Sequence, residues 1–260
     1  MNILETIITK KKVEVDERKR NKSIAELENG PFFKNKVLDF KKYLLREDKT
    51  GIIAEFKRRS PSKGTINNSS TVAAVTTAYA KYGASGISIL TDEEFFGGSL
   101  NDLLGATVNE VPLLRKDFMI DEYQFYEAKS IGADVILLIA SCLSPNQVSE
   151  FTDLAHQLNL EVLLEIHSEE ELVHINKNVD FVGINNRNLK DFKVDLQHSV
   201  NLKKQLPEDI LSIAESGIYN EEDFRFLKEK GFDGFLMGEY FMKEDNPGKK
   251  FGEFISNVTI

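Results

Sequence analysis

The sequence predicts an α/β protein, a (β/α)8 TIM barrel with an amino-terminal helical extension. From Gly51 onward, short apolar runs alternate with polar or glycine-containing turns and with segments of helical period. The first residues of successive runs lie about 20 to 35 positions apart, which suits a strand, a crossover helix and two loops. Several runs are apolar throughout, as expected for parallel strands that are covered on both faces.

Eight such runs are predicted to form the strands, at residues 52–56, 86–90, 111–114, 135–139, 162–166, 181–184, 211–214 and 234–237. Eight consecutive βα units favour a closed barrel. An open doubly wound sheet is disfavoured because no Gly-x-Gly-x-x-Gly turn follows the first run. We therefore expect residues 1–260 to form a single barrel domain, with residues 1–50 as its helical extension.

Local signals mark where several of the intervening helices begin and end. The segment SPNQ at 144–147 predicts a helix start with a capping box, and SEEE at 168–171 predicts another. Three glycines are predicted to end helices shortly before the next strand: Gly83, Gly132 and Gly231.

The first fifty residues are predicted to contain an amphipathic helix from Ile3 to about Lys19. A less regular helical region follows over residues 23–46 and is interrupted by NGPF. These segments could cap the bottom of the barrel or border its active-site mouth, and periodicity favours neither. The run KKK at 10–12 is interpreted as the solvated face of the first helix.

Composition narrows the function classes. The 260 residues are 41% hydrophobic and 29% charged, as in globular proteins with a sizeable core. No apolar run approaches the ~20 residues of a membrane span, and the amino terminus lacks the features of a secretory signal. The net charge of −9 argues against a general nucleic-acid binder. With Cys142 as its only cysteine the chain has no internal disulfide, and we expect a cytoplasmic protein without a membrane partner.

Ionisable and amide side chains follow the predicted strands, where the active sites of barrels form. Glu55 and Lys57 are two residues apart, so strand alternation points both to one side. Charges beside an apolar run are unfavourable unless they are paired or used. A structural ion-pair network is one interpretation, but so many charges at one mouth favour a catalytic site. The other candidates at this end are Lys116, Glu165, Asn185, Arg187, Glu215, Ser216 and Glu239.

Glycines follow the last two predicted strands, in the segments SGI and MGE. At Gly217 and Gly238 the backbone N–H groups can approach an anion closely. Because barrels commonly bind phosphate in the loops after strands seven and eight, the pair predicts a substrate phosphate.

Eight segments occur in the order ILETIITKKKVEVDERK, IIAEFKRRSPSKG, ISILTDEEFFGGSL, LLRKDF, LLEIH, GINNRNL, AESGI and GFLMGE. With these segments the chain resembles the indole-3-glycerol phosphate synthase family over essentially its whole length. AEFKRRSPS is the most specific of them, because it closely follows the family signature.

The resemblance implies a carboxy-lyase of tryptophan biosynthesis acting on 1-(2-carboxyphenylamino)-1-deoxyribulose 5-phosphate. The enzyme closes the pyrrole ring and then releases CO2 and water. Because the loss of CO2 restores aromaticity, neither a cofactor nor a metal is demanded. By resemblance, Lys116 protonates the substrate carbonyl oxygen, and Lys57 lies by the substrate carboxylate and protonates the departing hydroxyl.

The remaining roles are also implied by the resemblance. Glu165 would stabilise cationic intermediates or accept a proton in the dehydration, and Glu55 is the other candidate base. Asn185 would orient the ring-closing groups, and Glu215 would hold hydroxyls of the substrate. Substrate or phosphate contacts are assigned to Ser60, Phe96, Phe118, Arg187, Ser216, Gly217, Leu236, Gly238 and the backbone of Glu239.

Two further expectations follow from the resemblance. The partner is a small phosphorylated molecule, and the protein is a monomer or weak homo-oligomer with other tryptophan-pathway enzymes as candidate partners. Where the family usually has a small residue after MGE, this chain has Tyr240.

Three alternatives remain. A sibling barrel such as phosphoribosylanthranilate isomerase would need a Cys or Asp after the first strand, where this chain has Glu55 and Lys57. A barrel that has lost catalysis and serves as a scaffold would have no physical reason to retain these charges. A metal site at His167 and His174 is less consistent with their spacing than helix capping, and no His-Glu-x-x-His motif occurs.

Overall fold

The computed structural model describes residues 3–188 and 193–259. Eight parallel strands form a closed barrel in which each pairs with its neighbours along the chain and the eighth returns to the first. The strands are β1 Ile52–Phe56, β2 Gly86–Leu90, β3 Leu113–Lys116, β4 Val135–Ile139, β5 Glu161–Ile166, β6 Phe181–Asn185, β7 Leu211–Glu215 and β8 Gly234–Met237. The predicted barrel is therefore confirmed.

The third strand is the one whose predicted position is wrong. It was expected at 111–114, whereas β3 starts two residues later, at Leu113. Pro112 has no backbone N–H to donate to the ladder, and its carbonyl accepts from the N–H of Ile87 instead. β3 also ends two residues later than predicted, so Lys116 is the last residue of the strand.

Helices surround the barrel and form the extension. They are α1 Ile3–Asn21, α2 Ile24–Glu28, α3 Phe40–Leu44, α4 Val72–Lys81, α5 Leu100–Ala106, α6 Tyr123–Ser130, α7 Pro145–Gln157, α8 Leu196–Lys203, α9 Glu221–Glu229, α10 Glu239–Met242 and α11 Pro247–Val258. Short 3-10 helices at Ala140–Cys142 and Glu169–His174 follow β4 and β5, and Arg59–Ser60 pairs with Gly64–Thr65 in a hairpin after β1.

The capping box predicted at SPNQ is confirmed. Ser144 Oγ accepts from the backbone N–H of Gln147 at 3.3 Å, and Gln147 Oε1 accepts from that of Ser144 at 3.0 Å. The predicted glycine stops are confirmed as well, since each glycine follows a helix C-cap with a positive φ that permits the turn without a Cβ clash. They are Gly83, Gly132 and Gly231.

The capping box predicted at SEEE is wrong. Ser168 makes no capping hydrogen bond, and Glu169–His174 is a 3-10 helix. Glu171 turns back instead, and its Oε2 lies 2.8 Å from the backbone N of His167 and 3.0 Å from His167 Nδ1. The carboxylate thus satisfies the preceding turn rather than the start of a regular α-helix.

One hydrogen-bond pattern repeats at four places around the amino-terminal end of the barrel. The side chain of the residue directly before each even-numbered strand accepts from a backbone N–H at the start of the preceding odd-numbered strand. The pairs are Ser85 with Gly51 at 3.1 Å, and Asp134 with Leu113, Asp180 with Val162 and Asp233 with Ser212, each at 2.8 Å. These bonds satisfy strand-end donors that the ladder leaves unpaired.

The extension contacts both ends of the barrel. Both placements that the sequence left open therefore occur, each in a different part of the extension. Helix α3 closes the amino-terminal end, where the Phe40 ring lies 4.9 Å from that of Phe181. A Cβ at Gly86 would come within 2.6 Å of Phe40, so the close fit requires glycine there. Helix α1 lies at the opposite end, by the mouth of the cavity. That residues 1–260 form a single domain stays a prediction.

Candidate active site

A cavity at the carboxyl ends of the strands brings together every residue that the sequence assigned to the site. Its lining includes Glu55, Lys57, Ser60, Phe96, Lys116, Phe118, Glu165, Asn185, Arg187, Glu215, Ser216, Gly217, Leu236, Gly238 and Glu239. These residues come from seven of the eight strands or the loops that follow them.

Lys116 occupies the centre of this group at the end of β3. Its Nζ lies 2.8 Å from Glu165 Oε2 on β5 and 2.5 Å from Glu215 Oε2 at the end of β7. The lysine side chain is 13% exposed, whereas those of Glu165 and Glu215 are 8% and 2% exposed. The Lys116 ammonium is therefore paired with two more deeply buried carboxylates in the wall of the cavity.

The charges of this cluster shift one another's pKa values. Burial alone would lower the pKa of Lys116, but the carboxylates of Glu165 and Glu215 outweigh burial and raise it above its ordinary value. Burial opposes the ionisation of Glu165 too, yet Lys116 and the Asn185 amide hold its pKa below the usual range. Burial raises the pKa of Glu215 to about 7. Lys116 is therefore charged at neutral pH.

A second ion pair lies at the carboxyl end of β1. Lys57 Nζ is 2.6 Å from Glu55 Oε1, and their side chains are 15% and 4% exposed. A Cβ at Gly238 would approach Glu55 Oε1 to 2.7 Å, so a glycine in the loop after β8 leaves room for this carboxylate. The strand alternation inferred from the sequence thus brings both side chains into one pair at the mouth.

Two residues around the central carboxylates complete their support. Asn185 Nδ2 donates to Glu165 Oε1 at 2.9 Å, and Asn185 Oδ1 accepts from the backbone N–H of Arg187 at 3.0 Å. Gly183 was not predicted to matter, but a Cβ there would lie 2.0 Å from Glu215 Oε1. The glycine in GINN of β6 therefore makes the space that Glu215 occupies.

Polar groups gather on the side of the mouth between β6 and β8. The guanidinium of Arg187 donates to Ser62 Oγ at 3.2 Å, to the Tyr219 hydroxyl at 2.8 Å and to Glu239 Oε2 at 3.0 Å. After β7 the backbone turns through two left-handed residues, Ser216 with φ 64° and Gly217 with φ 69°. A left-handed serine is uncommon, and such strained positions cluster at functional sites.

The other side of the mouth is apolar. The rings of Phe96 and Phe118 lie 6.1 Å apart and are tilted by 41° to each other. Ile3, Leu4 and Ile7 of α1 line the same cavity. The cavity therefore combines an apolar slot with charged and polar groups.

The interpretation of the KKK run as a solvated face is wrong for Lys11. Its side chain is 1% exposed, and its Nζ lies 2.8 Å from Glu14 and 2.9 Å from both Asp92 and Asp117. The sequence did carry a signal, because Lys11 is spaced i, i+4 and i+8 with two buried residues of α1, Ile7 and Val15. Three carboxylates take the place of water around this lysine.

Through Lys11, helix α1 is attached to the active-site loops. Asp92 also accepts from the backbone N–H groups of Phe95 and Phe96 at 2.8 and 3.2 Å. Asp117 directly follows Lys116 and also contacts Thr91 Oγ1 at 2.6 Å and Arg115 Nη2 at 3.1 Å. The same buried charges therefore position helix α1, the Phe96 loop and the end of β3.

Tyr240, which stands where the family usually has a small residue, does not line the cavity. It is buried, with its ring 5.5 Å from that of Phe254 and Lys250 Nζ 4.9 Å from the ring centre. The larger side chain therefore fills the layer between α10 and α11, behind the site.

Within residues 3–188 and 193–259, no three His, Cys, Asp or Glu side chains are arranged to hold a metal ion. No helix in this part of the chain is long and apolar enough to cross a membrane.

Comparison with known proteins identifies the family. A model of the family described as indole-3-glycerol phosphate synthase matches residues 4–254. This chain belongs to the indole-3-glycerol phosphate synthase family. The assignment confirms the resemblance carried by the motifs and decides against the sibling isomerase.

Curated relatives named indole-3-glycerol phosphate synthase match the chain over nearly its full length. The one from Bacteroides thetaiotaomicron is 48% identical over 258 residues, which are 99% of this chain and 99% of the relative. The one from Thermoanaerobacter pseudethanolicus is 41% identical over 261 residues and covers 98% of both chains. The chain is therefore an enzyme of tryptophan biosynthesis, a carbon–carbon lyase whose reaction releases CO2.

Solved structures match the fold at low sequence identity. Tryptophan synthase subunit alpha from Legionella pneumophila superposes with a TM-score of 0.61 at 14% identity, covering 84% of this chain and 96% of that one. A 3-hexulose-6-phosphate synthase gives 0.64 at 13%, covering 80% and 100%. At such identities the likeness shows the barrel fold alone.

Proposed function

We propose that the chain converts 1-(2-carboxyphenylamino)-1-deoxyribulose 5-phosphate to indole-3-glycerol phosphate, with Lys116 as the general acid of ring closure. The observation that carries this assignment is the ammonium of Lys116, which faces the cavity between Glu165 and Glu215 at 2.8 and 2.5 Å. The two carboxylates outweigh burial and raise the pKa of Lys116, so the ammonium carries its proton at neutral pH when the substrate binds.

Ring closure needs a proton at one atom. As the aromatic carbon that carries the carboxylate attacks the substrate ketone, negative charge develops on the ketone oxygen. Lys116 donates its proton there, and the oxygen becomes a hydroxyl. A preorganised cation that is largely buried stabilises this charge more than water does.

Loss of CO2 and loss of water complete the reaction. The electrons of the carbon–carboxylate bond return to the ring, which restores aromaticity without an electron-sink cofactor. The hydroxyl then leaves as water with a proton from Lys57, and a carboxylate accepts the proton released from carbon. Glu165 or Glu55 is the candidate base, since each lies beside a lysine at the mouth.

The remaining groups bind and orient the substrate. Asn185 fixes the direction of Glu165, and Glu215 accepts from substrate hydroxyls. The apolar slot that includes Phe96, Phe118 and Leu236 receives the aromatic ring. The phosphate lies against Ser60, Arg187, Ser216, Gly217, Gly238 and the backbone of Glu239.

The setting of the enzyme is also part of this proposal. We expect a cytoplasmic protein that is a monomer or a weak homo-oligomer, with other enzymes of tryptophan biosynthesis as candidate partners. A small phosphorylated substrate is the expected ligand.

The test is direct. The purified protein, treated with a chelator, is mixed with 1-(2-carboxyphenylamino)-1-deoxyribulose 5-phosphate, and indole fluorescence is recorded for the wild type and for Lys116→Ala. We expect a signal from the wild type that falls by about 10²–10⁴-fold in the variant, the usual contribution of a general acid. No signal from a folded wild type would favour the inactive scaffold, and full activity in Lys116→Ala would remove the assignment of the acid.

A further inference from the structure

We propose that the Glu239 carboxylate is an internal anion that occupies Arg187 in the free enzyme and that a phosphate ligand must displace. The inference deepens the proposed function and rests on it, because that function assigns the phosphate to Arg187 and the loops after β7 and β8. Only the backbone of Glu239 has a role there, so the side chain is left without one.

Arg187 has one carboxylate contact among those described. Its Nη2 donates both to Glu239 Oε2 at 3.0 Å and to the Tyr219 hydroxyl at 2.8 Å, while Nη1 donates to Ser62 Oγ at 3.2 Å. Serine and tyrosine hydroxyls can remain beside an incoming phosphate, since they can donate to it. The carboxylate has no proton to donate, so it competes with the phosphate for the guanidinium.

The surroundings keep Glu239 charged. Burial opposes its ionisation, but Arg187, Lys63 and Lys57 hold the pKa of Glu239 below its ordinary value. Lys63 Nζ lies 3.5 Å from Glu239 Oε1. The substrate phosphate therefore meets the negative charge of Glu239 beside Arg187, and the two negative charges repel each other.

Glu239 has room to leave. Its side chain is 20% exposed, compared with 2% for Glu215 and 4% for Glu55. It stands at the first position of α10, directly after Gly238, on the rim of the cavity. A rotation toward solvent would free Arg187 without moving a strand, whereas the carboxylates of Glu55 and Glu215 are enclosed.

Competition with Glu239 lowers the affinity of every phosphate ligand by the same factor, but the consequence differs between inorganic phosphate and the substrate. Inorganic phosphate binds through the phosphate alone, so the competition removes much of an already weak interaction. The substrate also offers a carboxylate and an aromatic ring to the rest of the cavity, so it tolerates the same loss. Glu239 thereby limits occupation of the site by small anions, while the substrate still binds.

The experiment measures the binding of inorganic phosphate by isothermal titration calorimetry at low ionic strength. Glu239→Gln keeps the size of the side chain and removes its charge. We expect it to bind phosphate about three- to tenfold more tightly than the wild type, in keeping with a partly exposed ion pair and a relieved repulsion. Glu239→Ser, with a shorter side chain, should tighten binding in the same direction.

Asp245→Asn is the matched control, because it removes one negative charge from an exposed position in the same stretch of chain. It should leave phosphate affinity within about twofold, since exposed charges at a distance are largely screened. Equal tightening in Asp245→Asn and Glu239→Gln would reduce the effect to net charge and overturn the inference. Unchanged or weaker phosphate binding in Glu239→Gln would overturn it as well.

Arg187→Met separates this inference from the proposed function. If phosphate binding is lost in Arg187→Met but is not tightened in Glu239→Gln, the phosphate site stands and Glu239 is not a competitor. If Arg187→Met binds phosphate as the wild type does, the phosphate lies elsewhere, and both the assigned subsite and the competition are wrong. Thermal unfolding of each variant verifies that the proteins compared are folded.

Discussion

Carboxylates line both ends of the barrel, but their partners differ. At the amino-terminal end Asp134, Asp180 and Asp233 accept from backbone N–H groups at the start of neighbouring strands. At the carboxyl end Glu165 and Glu215 flank the ammonium of Lys116. A backbone amide has no proton that it can transfer at neutral pH, whereas an ammonium can give one to a bound substrate. The same residue type thus supports the fold at one end and, by our proposal, chemistry at the other.

The helical extension is also attached differently at the two ends of the barrel. At the amino-terminal end Asp134 also accepts from the backbone of Leu38 at 2.7 Å, and Glu161 accepts from that of Phe40 at 2.6 Å. At the carboxyl end helix α1 is attached through the buried charge of Lys11. Substitutions that remove these charges should therefore act mainly on activity at the carboxyl end and mainly on stability at the amino-terminal end.

The largest effect is expected at the carboxyl end, in Glu165→Gln. The variant should lower kcat by about 10²–10³-fold, because it removes a candidate base and a partner of Lys116. Its free energy of unfolding should stay close to that of the wild type, because Glu215 still pairs with the Lys116 ammonium and no buried charge is left without a partner. Steady-state kinetics and urea unfolding measure both quantities, and Glu150→Gln, at an exposed position on α7, is the control. A large loss of stability with kcat preserved would reverse the roles of the two ends.

Lys11→Met should affect both properties. It leaves Asp92 and Asp117 without their shared cation, which we expect to lower the free energy of unfolding by about 3 kcal/mol. Because the same charges hold the Phe96 loop and the end of β3, kcat/KM should fall by about tenfold. Lys12→Met changes an exposed neighbour and should alter neither. Equal behaviour of the two variants would mean that the buried cluster has no part in stability or positioning.

Asp134→Asn should act on stability alone. An asparagine can accept through only one of its two terminal atoms, so it cannot satisfy both Leu38 and Leu113. We expect a loss of about 1–3 kcal/mol in the free energy of unfolding and an unchanged kcat. Chemical unfolding and turnover of the same preparation test this, with the exposed Asp209→Asn as the control. A reduced kcat in folded Asp134→Asn would show that the amino-terminal end also serves the reaction.

The smallest effect is a dependence of that loss on pH. Burial raises the pKa of Asp134 to about 6, so the folded state holds this proton more tightly than the unfolded state does. A raised carboxyl pKa means that its contribution to stability falls as pH rises from about 4 to about 6. Asp134→Asn lacks this proton, so it should be less destabilising at pH 7 than at pH 4. A difference that grows with pH would contradict the assignment.

The strands and the identity of the site residues could be predicted because both follow local patterns. From eight apolar runs and the polar residues after them, we could predict that Glu55, Lys116 and Glu215 meet at one mouth of the barrel. The start of β3 was predicted two residues too early, because the prediction gave no weight to the missing N–H of Pro112. The burial of Lys11 was missed because its charge outweighed its position on the apolar stripe of α1 in our interpretation.

Other features depend on contacts between distant segments. The space that Gly183 leaves for Glu215 does not follow from residues nearby in the sequence. The acceptors before alternate strands do form a local pattern, in GASG, GADV, NVDF and GFDG. Their partners, however, are the first residues of another strand, and only the closed barrel brings them together.

The central claim is that the charged cluster around Lys116 serves catalysis, whereas the carboxylates at the amino-terminal end of the barrel serve stability. The most direct test measures kcat and the free energy of unfolding for Lys116→Met and Asp134→Asn in one set of preparations. We predict that Lys116→Met loses about 10³-fold in kcat with less than about 2 kcal/mol of stability. Lys116 is 13% exposed at the cavity, so water and a proton shared by Glu165 and Glu215 can replace its ammonium, whereas Lys11 is only 1% exposed. Asp134→Asn should show the opposite pattern. Parallel losses of activity and stability in both variants would contradict the account.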